Sequence, residues 1–386
     1  MSEWKCYKLN EISSLSNGIN FDKSAYTSGV KLIGVSDFKN RMHPDYDSLQ
    51  EVDSKVVKSG DYLGKGDIVF VRSNGNKELV GRCMMIDRDI PVTYSGFCIK
   101  LRLNDKKRFD PVFFNYLFRT RQFKKSMTGT TVGANIQNLS QSRLGSCEVN
   151  VPEIETQREI ATILSRYDSL IENYQRQIKL LEEAAQRLYK EWFVDLHFPG
   201  HETTPIIDGI PEGWEKKTVG EIAEFKRGKT ITKKDIIEGS IPVVAGGLEP
   251  AYYCNKSNTD QRVITVSGSG ANAGFTRMYF EKVWASDCSF IDCSTTEYLH
   301  FIYCYLIANK SFLDNLQKGA AQPHVYAKDI NALVVLVPSH NVINSFESLA
   351  SKIFDVIASK NNQIRNLTEA RDRLLPKLMS GEIDIV

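Results

Sequence analysis

Between Pro152 and Leu196, apolar side chains recur at alternating intervals of four and three: Ile160, Leu164, Tyr167, Ile171, Tyr174, Ile178, Leu181, Ala185, Leu188 and Trp192. This is the seam of a helix wound against a partner helix. No proline or glycine interrupts residues 153–194, so one continuous helix of about 40 residues, roughly 60 Å long, is expected. Its partner is encoded further along. A shift of 186 positions carries the seam onto Phe346, Ala350, Ile353, Ile357, Lys360, Ile364, Leu367, Arg371, Leu374 and Leu378. The same shift superposes Pro152 on Pro338, Gln177 on Gln363, Glu183 on Glu369 and Arg187 on Arg373. The copy departs from an apolar seam at Lys360 and Arg371, and its helix should be disturbed near Pro376.

The segments ahead of the helices repeat as well. Trp4, Leu9, Glu11, Ile12 and Gly18 correspond to Trp214, Val219, Glu221, Ile222 and Gly228, now at a shift of 210. The second copy is therefore 24 residues shorter in its middle, as expected of one scaffold carrying loops of different length. Asp67–Arg72 and Arg262–Val266 read as strands followed by turns. Phe113–Phe123 and Tyr298–Leu316 read as helices, each followed by a polar loop, Thr128–Gln141 or Lys318–Lys328. The expected fold is α+β, with an internal pseudo-two-fold repeat. Its parts are a domain over 1–151, a helix within 152–196, a linker over 197–213, a domain over 214–338 and a helix within 339–380. Parallel helices would force the chain back across ~60 Å between copies, so an antiparallel coiled coil is favoured.

Composition fits this plan: 386 residues, 42% hydrophobic and 25% charged, suffice for two or three cored domains. Neither a signal-peptide core nor an apolar run of membrane length is apparent, so a cytoplasmic protein with no membrane partner is expected. The eight cysteines are scattered without Cys-x-x-Cys pairs and read as free thiols. Net charge is +2 overall but +7 over residues 1–150 and −2 over residues 201–340. Only the first domain is clearly basic.

Catalytic signatures are weak. The run Gly268 to Gly274 half resembles a dinucleotide-binding turn, but a strand rather than a helix should follow it, which makes it a hairpin loop. Gly228-Lys229-Thr230 lacks the glycine that a phosphate loop needs five positions earlier. Pro44-Asp45 with Asp105-Lys106-Lys107 has the residue types of a metal-dependent nuclease at an unpersuasive separation. No metal site and no catalytic residue is assigned.

What recurs is polar loops at corresponding places. The first copy offers Arg72, Ser73, Asn74, Asn76 and Lys77, then Asn135, Gln137, Asn138 and Gln141. The second offers Ser267, Ser269, Asn272 and Arg277, then Gln322, His324, Tyr326 and Lys328, with a cationic group Lys226, Arg227 and Lys229. Arg, Asn and Gln make paired hydrogen bonds to purine edges, and Lys and small hydroxyls suit phosphates. These are candidate contacts to double-stranded DNA.

The run Gly129-Thr-Thr-Val-Gly-Ala-Asn-Ile-Gln-Asn-Leu-Ser140, then Val149-Asn-Val-Pro-Glu-Ile-Glu-Thr-Gln-Arg-Glu-Ile160, resembles a target recognition domain running into the helical spacer of type I restriction-modification specificity subunits. So do Lys318–Val337 and the closing Leu374-Leu-Pro-Lys-Leu-Met-Ser-Gly-Glu-Ile383. The second copy has Asn-Val-Ile-Asn at 341–344 where the first carries Gln-Arg. The resemblance implies a DNA-reading subunit without catalysis of its own, each domain reading half of a split, asymmetric target. The helices would set the spacing between the halves and dock two methyltransferase subunits, with motor-nuclease subunits joining for cleavage. S-adenosylmethionine, ATP and magnesium would belong to those partners. The rival expectations are an adaptor that binds protein or glycan, and a self-contained nuclease or methyltransferase.

Overall fold

The structure, a computed structural model, describes residues 4–38, 41–74, 79–128, 138–317 and 323–383. The chain divides into two compact units, Met1–Glu172 with Ile364–Val386, and Asn173–Gln363.

In the first unit the strand Lys5–Lys8 lies antiparallel to Glu148–Val151, Lys5 opposite Val151. The one-turn helix Leu9–Ile12 follows, with Glu11 Oε2 accepting the Lys8 amide at 2.8 Å. An antiparallel sheet then runs in the order Ser13–Asn17, Cys98–Leu103, Ile68–Val71, Cys83–Met85. A second sheet sets Tyr26–Ile33 between Gln50–Val52 and Val92–Tyr94, the latter pair parallel. Ile68–Val71 is buried on both faces, as its unbroken apolar run requires. Asp110 caps the helix Pro111–Leu117, its carboxylate accepting the amides of Val112 and Phe113 at 2.9 and 3.0 Å. That helix delivers Phe113 and Phe114 to a core shared with Phe70 and Phe118.

The second unit repeats this order. Glu215–Thr218 pairs with Val334–Val337, Glu215 opposite Val337, which is the first unit's register moved by 210 and 186 positions. Glu221 Oε2 accepts the Thr218 amide at 2.6 Å, as Glu11 does in the first copy. The sheets are Lys226–Arg227, Cys288–Asp292, Val263–Ser267, Thr276–Tyr279, and Tyr252–Cys254, Ile241–Val244, Trp284–Ala285. Much of the length difference falls in one place: 38 positions separate Ile33 from Val71, and 23 separate their counterparts Val244 and Ser267. The longer version is not idle loop, because it adds the buried Phe38, Tyr46, Leu49 and Leu63 to a core of its own.

Each expected domain helix is two helices. Pro111–Leu117 gives way to Arg121–Thr128 where the Thr120 hydroxyl donates to the Leu117 carbonyl (2.7 Å) and accepts the Phe123 amide (3.2 Å). Leu299–Ala308 gives way to Lys310–Asn315 at Asn309, whose side chain donates to the Tyr305 carbonyl at 2.9 Å. Both are side-chain bonds that compete with the helical ladder, and periodicity cannot reveal them. The linker, too, has structure: Ile206–Ile207 pairs with Ile210–Pro211 across Asp208 and Gly209, both at positive φ (51° and 77°).

The long helices are Ile154–Phe193 and His340–Met379. The second continues through Pro376 instead of breaking there, because a proline in the last turn forfeits only one ladder bond before the helix ends. In the first unit, Ile160 and Leu164 share a core with Leu374, Leu378 and Met379. In the second, Ala185, Tyr189, Trp192 and Phe193 share one with Phe346, Ala350, Phe354 and Ile357. In the second unit the contacts run in opposite order along the two segments, Tyr174 meeting Lys360 and Trp192 meeting Phe346. Of the other seam positions, Ile171 is buried, Ile178, Leu181, Leu188 and Ile353 pack on the second core, and Tyr167, Ile364 and Leu367 are half-buried.

Both polar departures in the seam have partners. Arg371 Nη1 donates to the Asp168 carboxylate, which also accepts the Tyr116 hydroxyl, and the Lys360 ammonium lies 4.9 Å from the centre of the Tyr174 ring. No helix among the described residues is long and apolar enough to cross a membrane.

Candidate nucleic-acid interface

In each unit the backbone ties the turn after the central strand to the segment that enters the last short helix. Leu139 donates to the Arg72 carbonyl at 2.8 Å, and Val325 donates to the Gly268 carbonyl at 3.1 Å. An isolated bridge joins Ser73 to Asn138, and another joins Ser269 to His324. The two loops that recur in sequence are thus held side by side by the same bonds in both copies. A third segment joins them. Arg72 donates to the Phe97 carbonyl at 2.8 Å, and Gly268 donates to the Asp287 carbonyl at 3.1 Å.

Gly18 and Gly228 anchor that third segment. Their amides donate to the carbonyls of Cys98 (3.2 Å) and Cys288 (2.8 Å). A Cβ at either position would strike the backbone oxygens of Tyr94 and Ser95, or of Ala285 and Ser286. Here glycine is required by close approach. Beneath the surface, burial pushes the thiols of Cys98 and Cys288 up to about 12, so neither supplies a thiolate near neutral pH.

The candidate residues fall into three groups. Asn138 is exposed beside half-buried Ser73, and Arg72 and Asn74 are half-buried on the same turn. In the second unit His324 and Tyr326 stack 5.9 Å apart at 13°, and the Lys328 ammonium stands 5.9 Å from the Tyr326 ring centre. This makes a short row of flat and cationic side chains. Lys226 and Lys229 are exposed close by in sequence, whereas Arg227 is committed to Asp287 at 3.3 Å. Asn76, Lys77, Asn135, Gln137 and Gln322 lie outside the described residues.

Four candidates are held by neighbouring groups. Ser267 is 3% exposed and its hydroxyl donates to the Gly246 carbonyl at 3.2 Å. Asn272 donates to the same carbonyl at 3.3 Å. Arg277 sits in the strand Thr276–Tyr279, opposite Thr265, with Nη1 on the Leu248 carbonyl (2.9 Å) and 3.6 Å from Glu249. The Gln141 amide faces the Leu15 carbonyl and the Asn17 amide, at 3.3 and 3.1 Å. These bonds brace loops: Ser267 is buried and its hydroxyl finds a backbone partner, while Asn272, Arg277 and Gln141 are half-buried. Ser269 is intermediate, its hydroxyl donating to Asp287.

The nuclease-like residues are used locally: Asp45 pairs with Arg41 at 2.7 Å, Asp105 accepts the Lys107 amide at 2.9 Å, and Lys106 donates to the Lys65 carbonyl at 2.6 Å. The Gly268–Gly274 run connects two antiparallel strands as a hairpin. The first unit also contains a cleft of about 980 Å³ lined by Asp67, Arg102, Lys106 and Asp168, and none of the candidate loop residues lines it. The turn carrying Phe97 and Asp287 is the segment that reading the sequence missed. The signal available was the serine and cysteine flanking it in both copies, Ser95 with Cys98 and Ser286 with Cys288.

Comparison with known proteins identifies a family for the chain. The family model described as type I restriction modification DNA specificity domain matches residues 1–183 and 211–367. The chain is 28% identical over 298 residues to the type I restriction enzyme MjaIX specificity subunit of Methanocaldococcus jannaschii, covering 71% of this chain and 69% of that one. It is 22% identical to the HindI specificity subunit of Haemophilus influenzae, covering 99% and 100%. A crystal structure of the type I restriction-modification S subunit from M. genitalium shares the fold, with a TM-score of 0.58 at 17% identity over 100% of this chain and 97% of that one.

Proposed function

Because this chain belongs to the family of type I restriction-modification specificity subunits, we propose that it reads a split, asymmetric DNA sequence, the loop surface of each unit taking one half. The chain is a recognition subunit, not a catalytic one. The observation that carries the two-reader model is the duplicated loop frame, with Leu139 on Arg72 and Val325 on Gly268. One scaffold holds different side chains at equivalent points, as two independent readers require. The paired helix segments seen within each unit support an antiparallel coiled coil that keeps the readers apart and docks two methyltransferase subunits. Successive major grooves on one face of a duplex recur about every 34 Å, within reach of helices this long. Motor-nuclease subunits would complete the cleaving complex in the cytoplasm. S-adenosylmethionine, ATP and magnesium would be held by those partners.

Exchanging residues 1–151 for the corresponding domain of a relative should change one half of the sequence methylated in the host and leave the other half intact. Methylome sequencing reads this directly, and a change in both halves would refute independent reading.

The second unit's weak charge sets a further expectation. With net −2 over residues 201–340, its phosphate contacts must be local, and Lys226 and Lys229 are exposed on either side of Gly228, whose amide is bonded to Cys288. In the assembled complex, Lys226→Gln with Lys229→Gln should weaken binding to all sequences alike. The slope of log affinity against log salt should flatten by about 1.8, at ~0.9 for each phosphate left unneutralised. An unchanged slope would mean that this segment touches no phosphate.

A further inference from the structure

The third segment of the frame differs in chemistry between the two units while its backbone is the same. In the first unit it is Ser95-Gly96-Phe97, and the Phe97 ring is 61% exposed although its carbonyl accepts the amides of both Arg72 and Ser73, at 2.8 and 3.3 Å. In the second unit the turn is one residue shorter, Ser286-Asp287, and the same carbonyl position belongs to Asp287. Its carboxylate accepts the Ser269 hydroxyl on Oδ2 and faces Arg227 Nη2 at 3.3 Å on Oδ1.

The exposure of the Phe97 side chain is not explained by stability. A ring left mostly in water forgoes the stabilisation its burial would bring. A carboxylate on a surface meant for a polyanion is repelled unless a cation stands beside it, and Arg227 does. Among the described residues, Ser269 and Arg227 occupy two of the carboxylate's roughly four lone-pair positions, and the Asp287 side chain is 34% exposed.

We infer that this turn is a base-reading element in both domains, Phe97 making an apolar contact with a thymine methyl in one half-site and Asp287 accepting a hydrogen bond from a cytosine amino group in the other. The inference rests on the two-reader model above. The major groove is where both groups are displayed, and an aromatic or aliphatic side chain on the thymine methyl and an acidic side chain on cytosine N4 are the pairings its geometry favours. Arg227 then serves twice, holding the carboxylate in place and offsetting its charge near phosphates. A protein-docking role for Phe97 is the competing possibility. The flanking Arg72, Ser73 and Asn138, in a segment of net +7, favour nucleic acid over an apolar partner surface.

The test uses the chain assembled with its methyltransferase partners and the target sequence read from the host methylome. Each thymine in a target duplex is replaced in turn by deoxyuridine, which removes only the methyl group. One replacement, in one half-site, should weaken the wild-type complex about fourfold, the equivalent of one buried methyl. Phe97→Ala should bind thymine and deoxyuridine duplexes equally at that position, and Phe97→Leu should keep part of the difference. Asp287→Asn should lower discrimination at one C·G pair of the other half-site on the order of tenfold, visible as a degenerate position in the methylome. Indifference to every deoxyuridine, loss of assembly without change in DNA binding for Phe97→Ala, or uniform weakening on all sequences for Asp287→Asn would overturn the inference. The two-reader model would survive those results if domain exchange still moved one half alone. If Phe97 and Asp287 variants altered the same half-site, the two-reader model itself would fall.

Discussion

Phe346→Ala should destabilise the second unit by about 3–5 kcal/mol, the range for emptying a fully packed aromatic site. Phe346 has no exposure to solvent, and its ring centre lies 4.9 Å from Phe193, 6.0 Å from Trp192, 6.2 Å from Tyr189 and 6.4 Å from Phe301. Four of these five rings belong to the two long helices and the fifth to the domain helix Leu299–Ala308, so one truncation loosens all three elements. Aromatic pairs in tilted and edge-on arrangements add to the area term, and the surrounding rings are too rigid to collapse into the space. Trp192 and Trp214 lie in this core, so their fluorescence during denaturant unfolding reports the change. Phe346→Leu should cost much less. A loss under 1 kcal/mol for the alanine variant would mean that the cluster does not join these elements.

Asp168→Ala should cost the first unit about 3 kcal/mol, although the residue lies outside the apolar seam. Its carboxylate is 12% exposed and receives both the Arg371 guanidinium and the Tyr116 hydroxyl. Removing it strands a half-desolvated cation, and that uncompensated charge is what makes breaking a buried pair expensive. Arg371 keeps Asp372 at 2.7 Å, which holds the cost below the upper end of the range. Burial, reinforced by the Asp168 charge, raises the Tyr116 hydroxyl well above its ordinary value, so it remains a donor throughout the neutral range. The double variant Asp168→Leu with Arg371→Leu should recover part of the loss, because an apolar pair carries no desolvation cost, while the Tyr116 hydroxyl still lacks its acceptor. A double-mutant cycle checks this, and additive losses would show that the two residues are not coupled.

The helices and the repeat were legible because period and proline-free length are properties of sequence. Even the misfits Lys360 and Arg371 stood out, but their partners Tyr174 and Asp168 could be found only once the opposing segment was in register. The pairing of Lys5–Lys8 with Glu148–Val151 spans most of a domain and left no local mark. At the loops, residue type indicated segments that the backbone holds side by side, but not the direction of each side chain. Ser267 and Ser269 are two residues apart in similar surroundings, yet one is sealed under Gly246 and the other meets Asp287. Phe97 escaped notice for the opposite reason, since a lone phenylalanine before a strand reads as core until its exposure is seen.

The division of the chain has a bearing on biosynthesis. The second unit is continuous in sequence, whereas the first draws Leu378 and Met379 into a core begun by Leu9 and Ile12. On the ribosome, the domain made first must wait with part of its apolar surface uncovered while the second is translated. At about 5–20 residues per second, the intervening stretch of roughly 190 residues imposes a delay on the order of 10–40 s. Completion order is thus the reverse of synthesis order, and nascent chains halted before residue 364 would present chaperones with a finished second unit and an open first one.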